Sequence, residues 1–235
     1  MSRTSVLDML NNSEPTTMCA PMVRYSKLPF RTLVRKYVCD VAYTPMIVSS
    51  SFIQSKSCRD VEFITTEADR PLIVQFAANN AKDFATAAQM VYPFCDGVDL
   101  NCGCPQRWAM AEGYGAKLLQ KPEHLVDYIR FTRASIADER FCISAKIRIH
   151  RDIKQTIKLC QNLEKVGLSY IAVHGRTTSE RHQPVHYDAI KLIKESVSIP
   201  VVANGDITSL CDVTSVSENT GKLFSKISIP LHAYC

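Results

Sequence analysis

The residues best suited to chemistry lie in a cysteine-containing loop that follows a short apolar segment. Residues 97–100 are typical of a buried strand, and residues 101–105, Asn-Cys-Gly-Cys-Pro, come directly after it. The glycine and proline around Cys104 restrict the backbone, so its thiol would be held in one place. In α/β folds, active sites lie where parallel strands end. Cys104 is therefore the candidate catalytic group, whereas Cys102 is typical of a small buried side chain.

Length and composition describe an ordinary globular protein. The 235 residues are 46% hydrophobic, which suffices for one sizeable core. The net charge of +5 is compatible with nucleic-acid binding without establishing it. Ten irregularly spaced cysteines indicate reduced thiols inside the cell. No apolar leader and no run of about 18 apolar residues is visible. We therefore expect a soluble cytoplasmic or nuclear protein that is neither secreted nor in the membrane.

Apolar strand patterns and amphipathic helix patterns alternate from residue 17 to residue 208. Such alternation predicts a parallel sheet covered by helices. No Gly-x-Gly-x-x-Gly follows the first strand, which disfavours a doubly wound dinucleotide-binding sheet. Polar residues at successive strand ends favour a TIM-type (β/α)8 barrel, which usually takes about 250 residues. Because the alternation stops after Ile207, we predict an incomplete barrel of about seven βα units.

Three local patterns lead to further structural predictions. Residues 1–16 are polar and predict a flexible N-terminal arm, which is either disordered or loosely helical up to Pro15. Serines crowd residues 49–57, which predicts a loop. The helix that begins near Pro29 should expose Arg31. Its inward positions should be Phe30, Leu33, Val34 and Tyr37.

Polar side chains recur where the predicted strands end. In residues 142–149, strand alternation places two cations on one face, where they need an anionic partner. Each position also has an ordinary structural explanation. The glutamine would form a hydrogen bond to a loop, and the cations would form surface salt bridges. The histidine would be a hydrogen-bonded structural residue, and the Asn-Gly-Asp segment would be a simple turn. The strand-end residues are Gln75, Lys146 and Arg148, His174 and Arg176, and Asn204-Gly205-Asp206.

The cysteine loop resembles the signature of a known enzyme family. Residues 99–105, Asp-Leu-Asn-Cys-Gly-Cys-Pro, are similar to the motif of the tRNA-dihydrouridine synthases, flavoenzymes built on a TIM barrel. The following residues 106–108, Gln-Arg-Trp, look closest to the fourth eukaryotic branch of that family. The resemblance covers roughly residues 18–208. It implies FMN-dependent reduction of uridine to 5,6-dihydrouridine in the D loop of tRNA, at positions 20a/20b, with NADPH or NADH as the reductant.

The resemblance also implies a role for each strand-end residue. The thiol of Cys104, which precedes the proline, would donate a proton to uracil C5, and thiols are mostly protonated at neutral pH. Asn101 and Arg176 would position the uridine, which must be extruded from the folded tRNA. No metal is implied. The residues that would contact FMN are Pro21, Met22 and Val23 on one side, Gln75, Lys146 and His174 at the isoalloxazine, and Asn204, Gly205 and Asp206 toward the ribityl phosphate.

The resemblance ends before the end of the sequence. Family members continue with a Gly/Ala-Arg-Gly phosphate-binding turn and a helical domain that grips tRNA, and residues 209–235 show neither. We therefore predict a barrel over residues 17–208 and a divergent tail, in which residues 223–229 are able to form a substitute strand. Seven strands would leave two unpaired edges and weaken FMN binding. An inactive family member with weak RNA binding and a flavin barrel that reduces a free pyrimidine remain open alternatives. The sequence does not indicate an oligomeric state.

Overall fold

The computed structural model of the protein describes residues 5–12, 15–37, 39–220 and 224–227. Within them, nine strands form one parallel sheet. The strands are β1 (Met18–Cys19), β2 (Val41–Tyr43), β3 (Ile47–Val48), β4 (Leu72–Ala77), β5 (Gly97–Cys102), β6 (Cys142–Arg148), β7 (Tyr170–His174), β8 (Val201–Asn204) and β9 (Phe224–Ile227).

The sheet curls into a barrel of the TIM type, as predicted. The strands pair in the order β2-β1-β9-β8-β7-β6-β5-β4, and β4 also pairs with β2, which closes the ring. β3 lies beside the carboxyl end of β4. Helices separate the strands through β8, except between β2 and β3, which gives the seven predicted βα units in the described part of the chain. The eighth position holds the short strand β9.

The prediction of two unpaired barrel edges is wrong. β9 runs parallel to both β1 and β8, with Lys226 opposite Met18 and Phe224 opposite Val202. β9 is formed by residues 224–227, Phe-Ser-Lys-Ile. Ladder hydrogen bonds come from the backbone, so a sequence unlike the family's can still fill this position.

Ten helices cover the outside of the barrel or close its ends among the described residues. They are α1 (Val6–Asn11), α2 (Leu28–Val34), α3 (Ser49–Gln54), α4 (Lys56–Glu62), α5 (Ala81–Val91), α6 (Arg107–Ala111), α7 (Pro122–Ser135), α8 (Ile153–Glu164), α9 (Tyr187–Glu195) and α10 (Leu210–Thr220). Local sequence starts several of them: the Asn80 side chain accepts a hydrogen bond from Asp83 N at the start of α5, and Asp152 caps α8 in the same way. None of the described helices has the length and apolar character to cross a membrane.

The amino end of the barrel interior is apolar and is closed by α1. Val6 and Leu10 of α1 are fully buried. They belong to a cluster with strand residues from around the ring, namely Met18, Val41, Tyr43, Ile73, Cys142, Tyr170, Ala172 and Val202. Within the arm predicted over residues 1–16, the described residues therefore include a short helix that packs on the barrel. A helix of six residues is too short to be predicted from helix propensity, because its stability comes from tertiary packing.

The loop predicted over residues 49–57 is wrong, and the predicted inner face of α2 is correct for Phe30 and Val34 only. The serine-rich residues 49–57 form α3 and the start of α4, where the Ser55 hydroxyl accepts a hydrogen bond from Cys58 N. In α2, Arg31 is buried and its Nη2 lies 2.6 Å from Asp69 Oδ2, whereas Leu33 and Tyr37 are exposed. The partner of Arg31 lies 38 residues away, so helical periodicity could not reveal it.

Candidate active site

The carboxyl ends of the strands bring most of the predicted residues to one mouth of the barrel. Asn101 on β5 lies opposite Lys146 on β6 in the sheet register. His174 on β7 lies opposite Asn204 on β8. In-register residues of neighbouring parallel strands point to the same side of the sheet, and these positions alternate with residues of the outer core such as Leu100 and Ile147. The barrel mouth is therefore polar, in contrast to its apolar amino end.

The Cys104 loop is fixed by hydrogen bonds on both sides of the thiol-bearing residue. The backbone N–H of Cys104 donates to Asn101 Oδ1 at 3.0 Å, and its carbonyl accepts from Ala116 N at 3.0 Å. Gly115, with φ of +60°, packs so closely that a Cβ atom there would lie 2.9 Å from Cys104 Cβ. Cys104 remains partly exposed. The loop thus holds an accessible thiol in a defined place.

Cys102 lies in a different environment from Cys104. Its side chain is completely buried in the core between the sheet and the helices. Burial raises the pKa of the Cys102 thiol well above its usual value, and the nearby charge of Asp99 raises it further. Of the two cysteines in the motif, only Cys104 has a side chain that a ligand in the mouth can reach.

The side-chain amides of Gln75 and Asn101 are already hydrogen-bonded. Gln75 Nε2 donates to Asp99 Oδ2 at 2.7 Å, and Asn101 Nδ2 donates to Gln75 Oε1 at 2.9 Å. The Gln75 side chain is therefore hydrogen-bonded within the protein, to residues of the neighbouring strand β5 and not to a loop. Both side chains are buried. Any contact that Gln75 makes with a ligand adds to these hydrogen bonds.

Lys146 places a positive charge at the mouth. The pKa of Lys146 is lowered to about 8, chiefly by burial and also by Arg148, while Asp99 and Cys104 oppose that shift. Neither hydrogen bonds nor ion pairs from Lys146 Nζ are found among the described residues. Arg148 is held by carbonyl oxygens, since its Nη1 donates to Thr177 O at 2.9 Å and to Glu180 O at 3.1 Å. Surface salt bridges therefore do not explain these two cations.

His174 is a neutral group among three cations. Burial lowers its pKa to about 3, with smaller contributions from Lys146, Arg148 and Arg176. Its imidazole therefore stays uncharged across the physiological range. His174 Nε2 lies 3.5 Å from Arg176 Nη1. His174 can hydrogen-bond to a ligand without adding charge to the mouth.

Arg176 already makes hydrogen bonds to neighbouring groups at the barrel mouth. Its Nε donates to Gln183 O at 2.5 Å, and its two terminal nitrogens contact the two carboxylate oxygens of Asp206. The Arg176 side chain is buried, while that of Asp206 is largely exposed. The predicted contact of Arg176 with a uridine would have to coexist with this ion pair.

The turn after β8 has an unusual backbone. Gly205 has φ of +128° and Asp206 has φ of +51°. The Tyr187 hydroxyl donates to Gly205 O at 2.6 Å, and a Cβ atom on Gly205 would lie 2.8 Å from Val185 Cγ2 and 3.0 Å from His174 Cδ2. Only glycine therefore combines this φ with this close approach.

We expect Gly205→Ala to destabilise the protein by about 2–4 kcal/mol, the sum of backbone strain and overpacking. Urea unfolding measures this effect. The matched control is Asp206→Asn, because asparagine tolerates a positive φ and the half-exposed ion pair with Arg176 contributes at most about 1 kcal/mol. Equal stability losses in the two variants would contradict the close approach at Gly205.

The residues after β1 lie at the same end of the barrel. Met22 packs partly against the core, and its N–H donates to the Ser26 hydroxyl at 2.9 Å. Pro21 is partly buried, and Val23 is 48% exposed. All three therefore lie in a tight turn at the carboxyl end of β1, where a ligand in the mouth could contact them.

An open cleft of about 650 Å³ lies beside the mouth. It is lined by residues of α6, α7 and α8 and of the loops after β6 and β7, including His150, Arg151 and Lys158. It contains none of the predicted site residues. No group of three or more His, Cys, Asp or Glu side chains that could hold a metal ion occurs in the described part of the chain.

The fold and the strand-end residues define a βα barrel with a cysteine-bearing polar mouth. The chain belongs to the dihydrouridine synthase family, whose profile matches residues 18–223. It is 58% identical over 215 residues to the tRNA-dihydrouridine(20a/20b) synthase [NAD(P)+]-like protein of Mus musculus, covering 92% of this chain and 66% of that protein. It is 46% identical to the tRNA-dihydrouridine(20a/20b) synthase [NAD(P)+] of Schizosaccharomyces pombe, covering 87% of this chain and 63% of that protein. The chain thus spans about two thirds of the length of these relatives.

Comparison with solved structures supports the fold. The old yellow enzyme of Trypanosoma cruzi superposes with a TM-score of 0.63 at 8% identity, covering 90% of this chain and 83% of that chain. A lyase/mutase from Burkholderia cenocepacia superposes with a TM-score of 0.62 at 12% identity, covering 95% and 80%. The family resemblance and the barrel predicted from the sequence are confirmed.

Three groups that shape the site were not assigned from the sequence. Gly115 packs closely against Cys104. Beneath the mouth, the buried Ser144 hydroxyl donates a hydrogen bond to Asp99. The sequence does contain a signal for the two polar residues. Polar residues at Asp99 and Ser144 interrupt otherwise apolar strands, at positions that alternation places on the inner face.

Proposed function

We propose that this protein reduces uridine to 5,6-dihydrouridine in tRNA. The observation that carries the proposal is the juxtaposition of the partly exposed Cys104 with Lys146, a cation for which the described residues supply no ion pair. A proton donor beside a cation that is not held in an ion pair suits the reduction of a ring on which negative charge develops. The printed names of the relatives give the same reaction for those proteins.

The residues at the mouth fit FMN as the cofactor. A flavin ring that becomes more negative on reduction needs a nearby cation, and Lys146 would provide one. Gln75 and the neutral His174 supply hydrogen-bonding groups, and Pro21, Met22 and Val23 supply an apolar side. The turn at Asn204, Gly205 and Asp206 would face the phosphate end of the cofactor. The bound cofactor would supply the hydride for uracil C6, with NADPH or NADH as the source of electrons.

The protein residues then complete the addition of one hydride and one proton across the C5–C6 double bond. Cys104 holds the proton on Sγ and transfers it to C5. Asn101 and Arg176 orient the uracil ring. The hydrogen bond from Cys104 N to Asn101 Oδ1 holds the thiol at a fixed position relative to that ring. A base within folded tRNA cannot reach this mouth, so the uridine is extruded.

The proposed positions are 20a and 20b of the tRNA D loop, as in the printed names of the relatives. The net charge of +5 favours binding to the RNA backbone. Intracellular tRNA is the natural partner of such an enzyme, and the cytoplasm or the nucleus is the proposed compartment.

The proposal is tested by flavin binding and by mapping the product. FMN is titrated into the purified chain and followed by its absorbance and fluorescence, and the loaded protein is incubated with NADPH and tRNA that lacks dihydrouridine. Bound FMN together with dihydrouridine at 20a or 20b supports the proposal. Bound FMN with reduction of free uridine alone points to a pyrimidine reductase. Failure to bind FMN, in this chain and in a version extended with the remaining length of the mouse relative, overturns it.

A further inference from the structure

A buried carboxylate lies beneath the mouth, one layer further into the barrel. Asp99 occupies the middle of β5 and is completely buried. In the sheet register it lies between Gln75 on β4 and Ser144 on β6. Its Oδ2 accepts a hydrogen bond from Gln75 Nε2 at 2.7 Å, and its Oδ1 accepts one from the Ser144 hydroxyl at 2.6 Å. Such a group is costly to bury unless it is well bonded.

Hydrogen bonds continue from this carboxylate to the cysteine loop. Gln75 Oε1 accepts from Asn101 Nδ2 at 2.9 Å. Asn101 Oδ1 then accepts from Gly103 N at 3.2 Å and from Cys104 N at 3.0 Å. We call Asp99, Gln75 and Asn101, with the two backbone amides, the amide relay. It joins the barrel interior to the residue that bears the accessible thiol.

The chemistry of the two ends fixes the direction of the amide relay. A carboxylate only accepts hydrogen bonds, so the NH2 group of Gln75 must face Asp99. A backbone N–H only donates, so the oxygen of Asn101 must face Cys104. One orientation of the two side-chain amides satisfies both requirements, whereas amides in general can be placed in two ways. The two ends therefore reinforce a single arrangement.

We propose that Asp99 is a positioning residue, which acts through Gln75 and Asn101 to hold the Cys104 loop in place. Its side chain is completely buried below the residues that line the mouth. Without its acceptor, Gln75 Nε2 is left unpaired in the interior and the remaining amides lose their anchor. The importance of this position for proton transfer rests on the proposed function, but the structural effect on the loop does not.

Amide hydrogen exchange at Gly103 and Cys104, measured by NMR on the whole chain, tests the proposal. Asp99→Ala should speed exchange at both amides on the order of tenfold, as expected for the loss of about one hydrogen bond. Asp99→Asn keeps an acceptor oxygen for Gln75 and should restore slow exchange. Ser144→Ala removes the other short hydrogen bond to Asp99 but leaves the amide relay intact, so it should match the wild type. Amides of β7 report any global change in stability.

Unchanged exchange at Gly103 and Cys104 in folded Asp99→Ala would overturn the proposal, as would an equal increase in Ser144→Ala. If Asp99→Ala does not fold, Gln75→Leu breaks the next link, and unchanged exchange in that variant overturns it equally. In flavin-loaded protein, the relay predicts a lower kcat for Asp99→Ala with little change in KM for tRNA. If no version of the protein reduces uridine, the proposed function fails, but the exchange result still decides this inference.

Discussion

Cys104→Ala should lower the rate of uridine reduction by a factor of about 10²–10⁴, the usual contribution of a positioned general acid. The loss should appear in kcat, because alanine removes the proton donor and leaves the loop backbone in place. Flavin content should not change, since the hydrogen bonds of the loop come from Cys104 N and O and not from its thiol. Single-turnover oxidation of the prereduced enzyme by tRNA measures this step directly.

Cys102→Ala is the matched control for that experiment. Cys102 is buried in the outer core, so its truncation should reduce stability by about 1 kcal/mol through the small cavity that it leaves. The rate of uridine reduction should stay close to the wild-type rate. An inactive Cys102→Ala with an active Cys104→Ala would reverse the assignment of the proton donor.

Lys146→Met should stabilise the protein in the absence of flavin and weaken its flavin binding. The pKa of Lys146 is lowered from 10.5 to about 8, first by burial. The folded state therefore disfavours the ammonium, at a cost of up to about 3 kcal/mol at neutral pH. Methionine has a similar shape and no charge, so it removes this cost. In flavin-loaded protein it also removes a charge-assisted contact, which should reduce FMN affinity by about ten- to a hundredfold.

The pH dependence provides an independent check on Lys146. For a lysine whose pKa is lowered by folding, the cost is fully present below the folded pKa. It is relieved as the pH rises from about 8 toward 10.5. The stability advantage of Lys146→Met should therefore shrink over this range, as measured by urea unfolding without flavin.

Lys191→Met is the control for Lys146→Met, because Lys191 is exposed on α9. Its effect should lie within about 0.5 kcal/mol at every pH. The flavin midpoint potential should be lower in Lys146→Met, since the cation favours the reduced form. An unchanged potential with flavin fully bound would place Lys146 away from the flavin ring.

The barrel could be predicted from the sequence because its signal is repeated. Each apolar strand followed by an amphipathic helix adds to the same interpretation, so errors at α3, α4 and α2 do not change the fold class. The errors come from features that local patterns do not contain. Arg31 is buried because of Asp69, which is distant in sequence, and the place of β9 follows from its pairing with β1 and β8, which are also distant in sequence.

The candidate site could be predicted in part for the same reason. Polar residues at strand ends converge in any parallel barrel, and the structure brings Asn101, Lys146, His174 and Asn204 to one mouth. Pairing within the mouth could not be predicted. The ion pair of Arg176 with Asp206 depends on the turn geometry after β8, and the amide relay depends on rotamers that sequence does not specify.

The closure of the barrel's apolar amino end by α1 affects how the chain folds during synthesis. Val6 and Leu10 emerge from the ribosome before every strand, yet their cluster includes Val202 of β8. The helix cannot bury its apolar face until almost two hundred further residues have been added and the ring has formed. Such non-local contacts are slow to form, and they leave hydrophobic surface exposed in the meantime. The docking of α1 is therefore a late event, and until then this segment is a natural site for chaperone binding.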